Sequence, residues 1–169
     1  GISSEMNANQ GSDGGEFIST GSMELDRRLG GGIPYRTLML IEGQEASGKS
    51  TFAQQLIWGA LNSGEKACVY TTEQNVQSLI RQMSSLGQDV ADFFLLHELE
   101  IFPITVASDS SSPVRLFNQL SAHMATQSNA RMIVIDALTT FVSHAGGDQI
   151  QDFFAGCKEL CEDGQVIAC

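Results

Sequence analysis

The chain has 169 residues, 42% of them hydrophobic, and carries nine Lys and Arg against twenty Asp and Glu for a formal charge of −11. That apolar content builds one domain with a real core and excludes a disordered tail. The negative balance repels a nucleic-acid backbone and argues against a bare membrane-surface binder, although acidity also serves ordinary solubility.

No apolar run approaches the roughly 18 residues that span a bilayer. No basic start followed by an apolar stretch marks a secretion signal. Residues 1–15 (GISSEMNANQGSDGG) are polar, small and Gly-rich, and read as a flexible tail ahead of a single domain over residues 16–169. A short strand is expected at Phe17–Ser19 and a short helix from about Ser22 to Leu29, ended by Gly30, Gly31 and Gly32 and by Pro34.

Strands and helices then alternate. Thr37–Glu42 (TLMLIE) is a buried strand, Gly43–Gly48 a tight loop, and Lys49–Ser63 a helix with Phe52, Leu56, Ile57 and Ala60 on one face. Lys66–Glu73 (KACVYTTE) is a second buried strand, and Asn75–Leu86 a helix that turns Val76, Leu79, Ile80 and Met83 inward. Phe94–Leu99 and Ile101–Ile104 are expected to be extended, with a break at Pro103. A loop at Ala107–Ser112 leads to Pro113, which suits a helix start, and that helix carries Leu116, Phe117, Leu120 and Met124. Arg131–Asp136 (RMIVID) is a further buried strand. Asp148–Glu162 is a helix with Ile150, Phe153, Phe154, Cys157, Leu160 and Cys161 inside, and Gln165–Cys169 begins one more strand.

Apolar strands alternating with amphipathic helices mean an α/β fold, a mostly parallel sheet covered on both faces in three layers. The sequence stops inside an expected core strand, so the domain is expected to be C-terminally truncated. The cysteines, Cys68, Cys157, Cys161 and Cys169, form no C-x-x-C pair and have no His at metal spacing. Core packing and a reducing cytoplasm fit them best.

Gly43-Gln44-Glu45-Ala46-Ser47-Gly48-Lys49-Ser50 matches G-x-x-x-x-G-K-[ST]. Phosphates are polyanions, so backbone N–H groups must converge on them. Only a loop free of bulky side chains at Gly43 and Gly48 curls that tightly. The following helix points its N-terminal N–H groups at the same anion. Lys49 adds a mobile positive charge for the β- and γ-phosphates, and the Ser50 hydroxyl can ligate Mg²⁺. Chance alone produces this pattern in below about 1% of chains of this length.

Met132-Ile133-Val134-Ile135-Asp136 ends an apolar strand on a carboxylate, at the sheet edge where ligands bind. Asp136 lies 136 − 49 = 87 residues after Lys49 and is expected to hold Mg²⁺ through water. Residue 137 is Ala, which excludes enzymes whose catalytic Glu directly follows this Asp. Glu73, ending VYTTE, is then the candidate base. If its strand lies beside the loop strand, Glu73 faces the γ-phosphate and can polarise the attacking water; a carboxylate serving the dipole at a helix N-terminus is the other reading. Thr139 and Thr140 fit a γ-phosphate sensor or ordinary turn polarity. His97, His123 and His144 show no partners and receive no role. No N-K-x-D pattern for guanine occurs, which favours ATP.

Thr20-Gly21 through Leu25-Asp26, then Leu29-Gly30-Gly31-Gly32-Ile33-Pro34, lead straight into the phosphate loop. This resembles the entry segment of the RecA superfamily, in particular its KaiC-like branch. GQEASGKSTFAQQL, VYTTEQ, EIFPI at 100–104 and MIVIDALTTF at 132–141 are most similar to the FlaH family, accessory ATPases of the archaeal flagellum (archaellum) motor. The resemblance covers about residues 17–169. It implies a RecA-type core and a homo-oligomeric ring, often hexameric, at the cytosolic base of the motor, beside the motor ATPase and the membrane platform. Carried onto this chain, Gly43, Glu45, Ala46, Ser47, Gly48, Lys49, Ser50 and Thr51 would hold ATP. Ser50 and Asp136 would hold Mg²⁺, and Glu73 the attacking water, with Lys49 its partner in catalysis. KaiC-like enzymes often carry two adjacent Glu where this chain has Glu73-Gln74, and the basic groups that act across RecA-type rings lie in later segments. Both departures point to slow or conditional hydrolysis. The expected function is an ATP-binding regulatory subunit of the archaellum motor. A KaiC-like signalling ATPase or kinase is the alternative, and a RecA-type DNA recombinase is disfavoured by the charge.

Overall fold

The computed structural model describes residues 17–33, 36–41, 48–72, 75–104, 113–127, 129–136, 146–160 and 165–168. The elements run α1 (Met23–Arg28), β1 (Thr37–Ile41), α2 (Gly48–Asn62), β2 (Lys66–Thr71), α3 (Val76–Ser85), α4 (Ala91–Leu95), β3 (Leu99–Pro103), α5 (Pro113–Ala125), β4 (Ala130–Asp136), α6 (Gly147–Leu160) and β5 (Gln165–Ala168). The strands form one sheet in the order β3-β2-β4-β1-β5, and every pairing is parallel.

The strand sequences explain why both faces are covered. Side chains alternate across a strand, and β1 is buried throughout. Met39 and Ile41 therefore join one core with Val69, Ile101 and Val134, covered by Leu56 and Ile57 of α2 and Leu79 and Met83 of α3. Leu38 and Leu40 join the other with Tyr70, Ile133 and Ile135, covered by Leu120 and Met124 of α5 and Phe153 and Cys157 of α6. A strand apolar on both faces has no polar side to show water, so it must sit between two helix layers. Each side chain as fully enclosed as Leu56 contributes about 2 kcal/mol of burial.

Local chemistry sets the helix ends. The Ser22 hydroxyl caps α1, accepting from Leu25 N at 3.4 Å, and Asn75 Oδ1 caps α3, accepting from Ser78 N at 2.8 Å. After α1 the chain reverses at Gly30, whose φ of +80° is open to glycine. Its N–H reaches the Arg27 carbonyl while that of Gly31 reaches Asp26, closing off the helix end.

Three expectations are corrected. The strand at Phe17–Ser19 reduces to one antiparallel bridge between Ile18 and Ile33. Phe94–Leu99 is not extended, because α4 occupies Ala91–Leu95 and only Leu99 enters β3. Helical winding lets the adjacent Phe93 and Phe94 both pack against the first core, where Phe93 meets Trp58 edge-on with ring centroids 6.3 Å apart. His97, at φ +61°, stops that helix: Glu98 N reaches the Phe93 carbonyl and His97 N the Phe94 carbonyl. Pro103 does not break β3 but ends it, on an edge strand where a missing N–H donor is tolerated. The tail at 1–15 and the loop at Ala107–Ser112 lie outside the described residues.

Candidate functional site

The three central strands end level with one another. Asp136, the last residue of β4, is the Cα partner of Ile41 at the end of β1 and of Thr71 at the end of β2. Thr72 N donates to the Asp136 carbonyl at 2.8 Å, which keeps the two strands joined to the rim. Asp136 is half-buried and Thr71 buried. The carboxylate is thus fixed mid-sheet at the carboxyl edge, where ligands of such folds bind. In sequence, residues 42–47 connect β1 to α2, whose first turn begins at Gly48.

α2 is anchored from behind. Gln55 Nε2 donates to the Thr20 carbonyl at 2.5 Å, and Gln55 Oε1 accepts from Gln88 Nε2 at 3.1 Å. Thr20 is held in turn by Asp26, whose Oδ1 accepts from Thr20 N and Thr20 Oγ1, each at 2.7 Å. Asp26 Oδ2 accepts from Ser19 Oγ at 2.6 Å. Partial burial pushes the Asp26 carboxyl up, but these three donors together hold it below its ordinary value. The entry segment singled out in the sequence is therefore a brace on the helix that follows the phosphate-loop motif. Gly59 permits the close approach, since any Cβ there would lie 2.5 Å from Thr20 Cα.

Of the expected site residues, Asp136 stands at the edge, and Thr51 is exposed on α2. Gly48, Lys49 and Ser50 form the first turn of α2, with their side chains outside the described set. Gly43, Glu45, Ala46, Ser47, Glu73, Thr139, Thr140 and His144 lie outside the described residues. One condition attached to Glu73 is not met: β2 does not lie beside the loop strand, because β4 pairs with both and separates them. The end of β2 adjoins Asp136 instead.

His123 also departs from expectation. Its Nδ1 lies 2.6 Å from the Tyr70 hydroxyl. Phe102 stacks on Tyr70, and all three rings line a recess of about 250 Å³ on the second face of the sheet. Burial, with the Cys68 thiol nearby, pushes the Tyr70 phenol above its usual range, so it stays protonated and is the natural donor to His123. Burial also pushes the Cys68 thiol up to about 12, the mark of a packing cysteine rather than a nucleophile. Gln54 was missed as well. It is 3% exposed, on the apolar side of α2, and lines a small cavity with Thr71 and Asp136. Its signal in FAQQLI is a glutamine three residues before the inward Ile57.

The donor chemistry at this edge fits a nucleotide with a divalent metal. A carboxylate beside a hydroxyl residue offers the hard oxygens that Mg²⁺ prefers. The first turn of the 15-residue helix α2 begins with N–H groups that have no partner within the helix and can serve a phosphate. A parallel sheet with such an edge defines an α/β domain of RecA type. The family model described as "ATPase: KaiC" matches residues 18–162, and the chain belongs to that family. It is 32% identical over 153 residues to the archaeal flagellar ATP-binding protein FlaH of Sulfolobus acidocaldarius, covering 89% of this chain and 67% of that one. To the protein of the same name from Methanocaldococcus jannaschii it is 26% identical over 148 residues, covering 86% and 63%. The crystal structure of the flagellar accessory protein FlaH from M. jannaschii shares the fold, with a TM-score of 0.74 at 24% identity over 91% of this chain and 70% of that one. The chain thus spans about two thirds of the length of these curated relatives.

Proposed function

We propose that this chain is the ATP-binding core of a regulatory subunit of the archaellum motor, binding Mg-ATP and hydrolysing it slowly or conditionally. The observation that carries this is the level placement of Ile41, Asp136 and Thr71 at the centre of the sheet's carboxyl edge. In sequence, Gly43 to Ser50 join the end of β1 to the first turn of α2. Backbone N–H groups of that segment would cradle the phosphates, Lys49 would neutralise their charge, and Ser50 and Asp136 would hold the metal. When bound, Mg²⁺ supplies charge neutralisation and a template for the phosphates. Glu73 would orient a water from the β2 side of Asp136, and Gln74, which carries no charge, would leave that base unassisted. The FlaH relatives support the motor assignment, which brings with it a homo-oligomeric ring, the motor ATPase and membrane platform as partners, and a cytoplasmic place at the membrane. No helix among the described residues is long and apolar enough to cross a membrane.

Binding of a fluorescent ATP analogue tests the site. Lys49→Ala should weaken it at least about 100-fold, on the order of 3 kcal/mol for a buried charge contact to phosphate. Retained micromolar affinity contradicts the assignment. Capture of the motor ATPase with and without ATP tests the regulatory role, and equal capture defeats it. The KaiC family match keeps a signalling ATPase as the second reading; sustained phosphate release that vanishes in Glu73→Gln would favour it.

A further inference from the structure

We infer that Gln54 is a positioning residue for Asp136, acting through a single internal water beneath the edge where the nucleotide's metal would sit; this rests on the nucleotide reading above. The sheet-facing side of α2 is otherwise apolar, with Ala53, Leu56, Ile57 and Ala60 all buried. Gln54 interrupts it at 3% exposure, and its Oε1 has no hydrogen-bond partner. A buried carbonyl left without a donor is costly, and a leucine would fill the same space without that cost. The cavity that Gln54 lines is walled by apolar side chains of α2, α3 and the three central strands. Its other polar lining residues among those described are Thr71 and Asp136. It offers about 10 Å³ to the centre of a water-sized sphere, room for one molecule.

A polar cavity of that size takes a water, whereas an apolar one stays dry. The water donates one O–H to Gln54 Oε1 and the other to the Asp136 carboxylate. Asp136 is then held from below in one orientation, with its remaining acceptor capacity turned to the rim. Partners one shell behind a metal-binding carboxylate act in this way. The neutral amide also suits the place. A glutamate would add a second negative charge beside Asp136 and push that carboxylate toward protonation.

The test replaces Gln54 with Met, which keeps length and volume but cannot bridge a water, and with Leu as a second apolar variant. Binding of the fluorescent ATP analogue is followed against Mg²⁺ concentration and again in EDTA, thermal melting is recorded, and nucleotide-free crystals are examined at high resolution. In wild type an ordered water should bridge Gln54 and Asp136. In Q54M and Q54L the Mg²⁺ needed for half-maximal binding should rise about tenfold, with EDTA binding and melting temperature held or the latter raised. A role in packing alone would move melting and leave the Mg²⁺ dependence untouched, and that result, or a dry cavity in the wild type, overturns the inference while the nucleotide site stands. Wild-type protein that binds no nucleotide with or without Mg²⁺ overturns both.

Discussion

Replacing Gly59 by Ala sets two effects of opposite sign against each other. Within a helix, Ala is favoured over Gly by about 1 kcal/mol, so on propensity alone the substitution in α2 stabilises. The structure predicts the reverse. The added Cβ would lie 2.5 Å from Thr20 Cα, 2.6 Å from the Ser19 carbonyl oxygen and 2.8 Å from Thr20 C. All three are backbone atoms, and comfortable contact needs roughly 3.5–4 Å. The segment must therefore withdraw by about 1 Å or α2 must shift. Withdrawal strains the Gln55 bond to the Thr20 carbonyl and the bonds from Thr20 to Asp26. Overpacking of this kind costs about 1–3 kcal/mol, and each weakened hydrogen bond about 1 kcal/mol more. Subtracting the propensity gain leaves a net loss of about 2–3 kcal/mol, or a melting temperature lower by roughly 5–10 °C for a domain of this size. Gly156 in α6 is the control, because nothing lies within 4 Å of a Cβ there; Gly156→Ala should stabilise by about 0.5–1 kcal/mol. Urea unfolding of both variants, with unchanged slopes, gives the comparison. Equal stabilisation by the two substitutions would refute the docking of residues 19 and 20 on α2.

Asp26→Asn keeps an acceptor but removes the charge that three donors face, and should cost about 1 kcal/mol at pH 7, the partial exposure limiting the effect. Because the folded carboxyl lies below its ordinary value of 3.8, its stabilisation is full above that pH and fades as pH falls through the folded pKa. The gap between wild type and variant in urea midpoint should thus narrow from pH 7 to pH 3, and a constant gap would show that the charge plays no part. Cys68 and Cys157 are buried thiols outside any disulfide, and the Cys68 thiol is pushed up to about 12 by burial. Both should escape iodoacetamide at pH 8 in the folded protein and react after unfolding, as peptide mass spectrometry would show; modification of Cys68 in the native state would contradict its packing role.

Most of the element pattern was legible because it depends on local rules. TLMLI, ACVYT and ARMIVID are apolar on both faces, and the capping residues Ser22 and Asn75 precede their helices. Strand order was not legible. A strand such as β4 has no face or edge that names its neighbour, so nothing local showed that it would separate β1 from β2. The short helix α4 was hidden for a related reason. Its run ADFFLL suits a strand by composition, and helix was selected by where Phe93 and Phe94 could reach the core.

The candidate site divides along the same line. Asp136 could be placed from sequence because a strand's last residue in a parallel sheet is held at the ligand edge by topology alone. The residues that support that edge could not, because each is defined by a partner distant in the chain. Gln55 meets Thr20, 35 residues earlier, and Tyr70 meets His123, 53 residues later. In sequence a buried glutamine looks like a solvated one, and a histidine among core residues like packing. What separates them is whether burial leaves a polar atom satisfied. Gln55 and Gln54 are adjacent in sequence, yet the amide of one is bonded at both ends while the oxygen of the other is buried without a donor, on a residue that lines a cavity with Asp136. Energetically the first is explained by the brace it forms; the second makes sense only if the cavity it lines is filled.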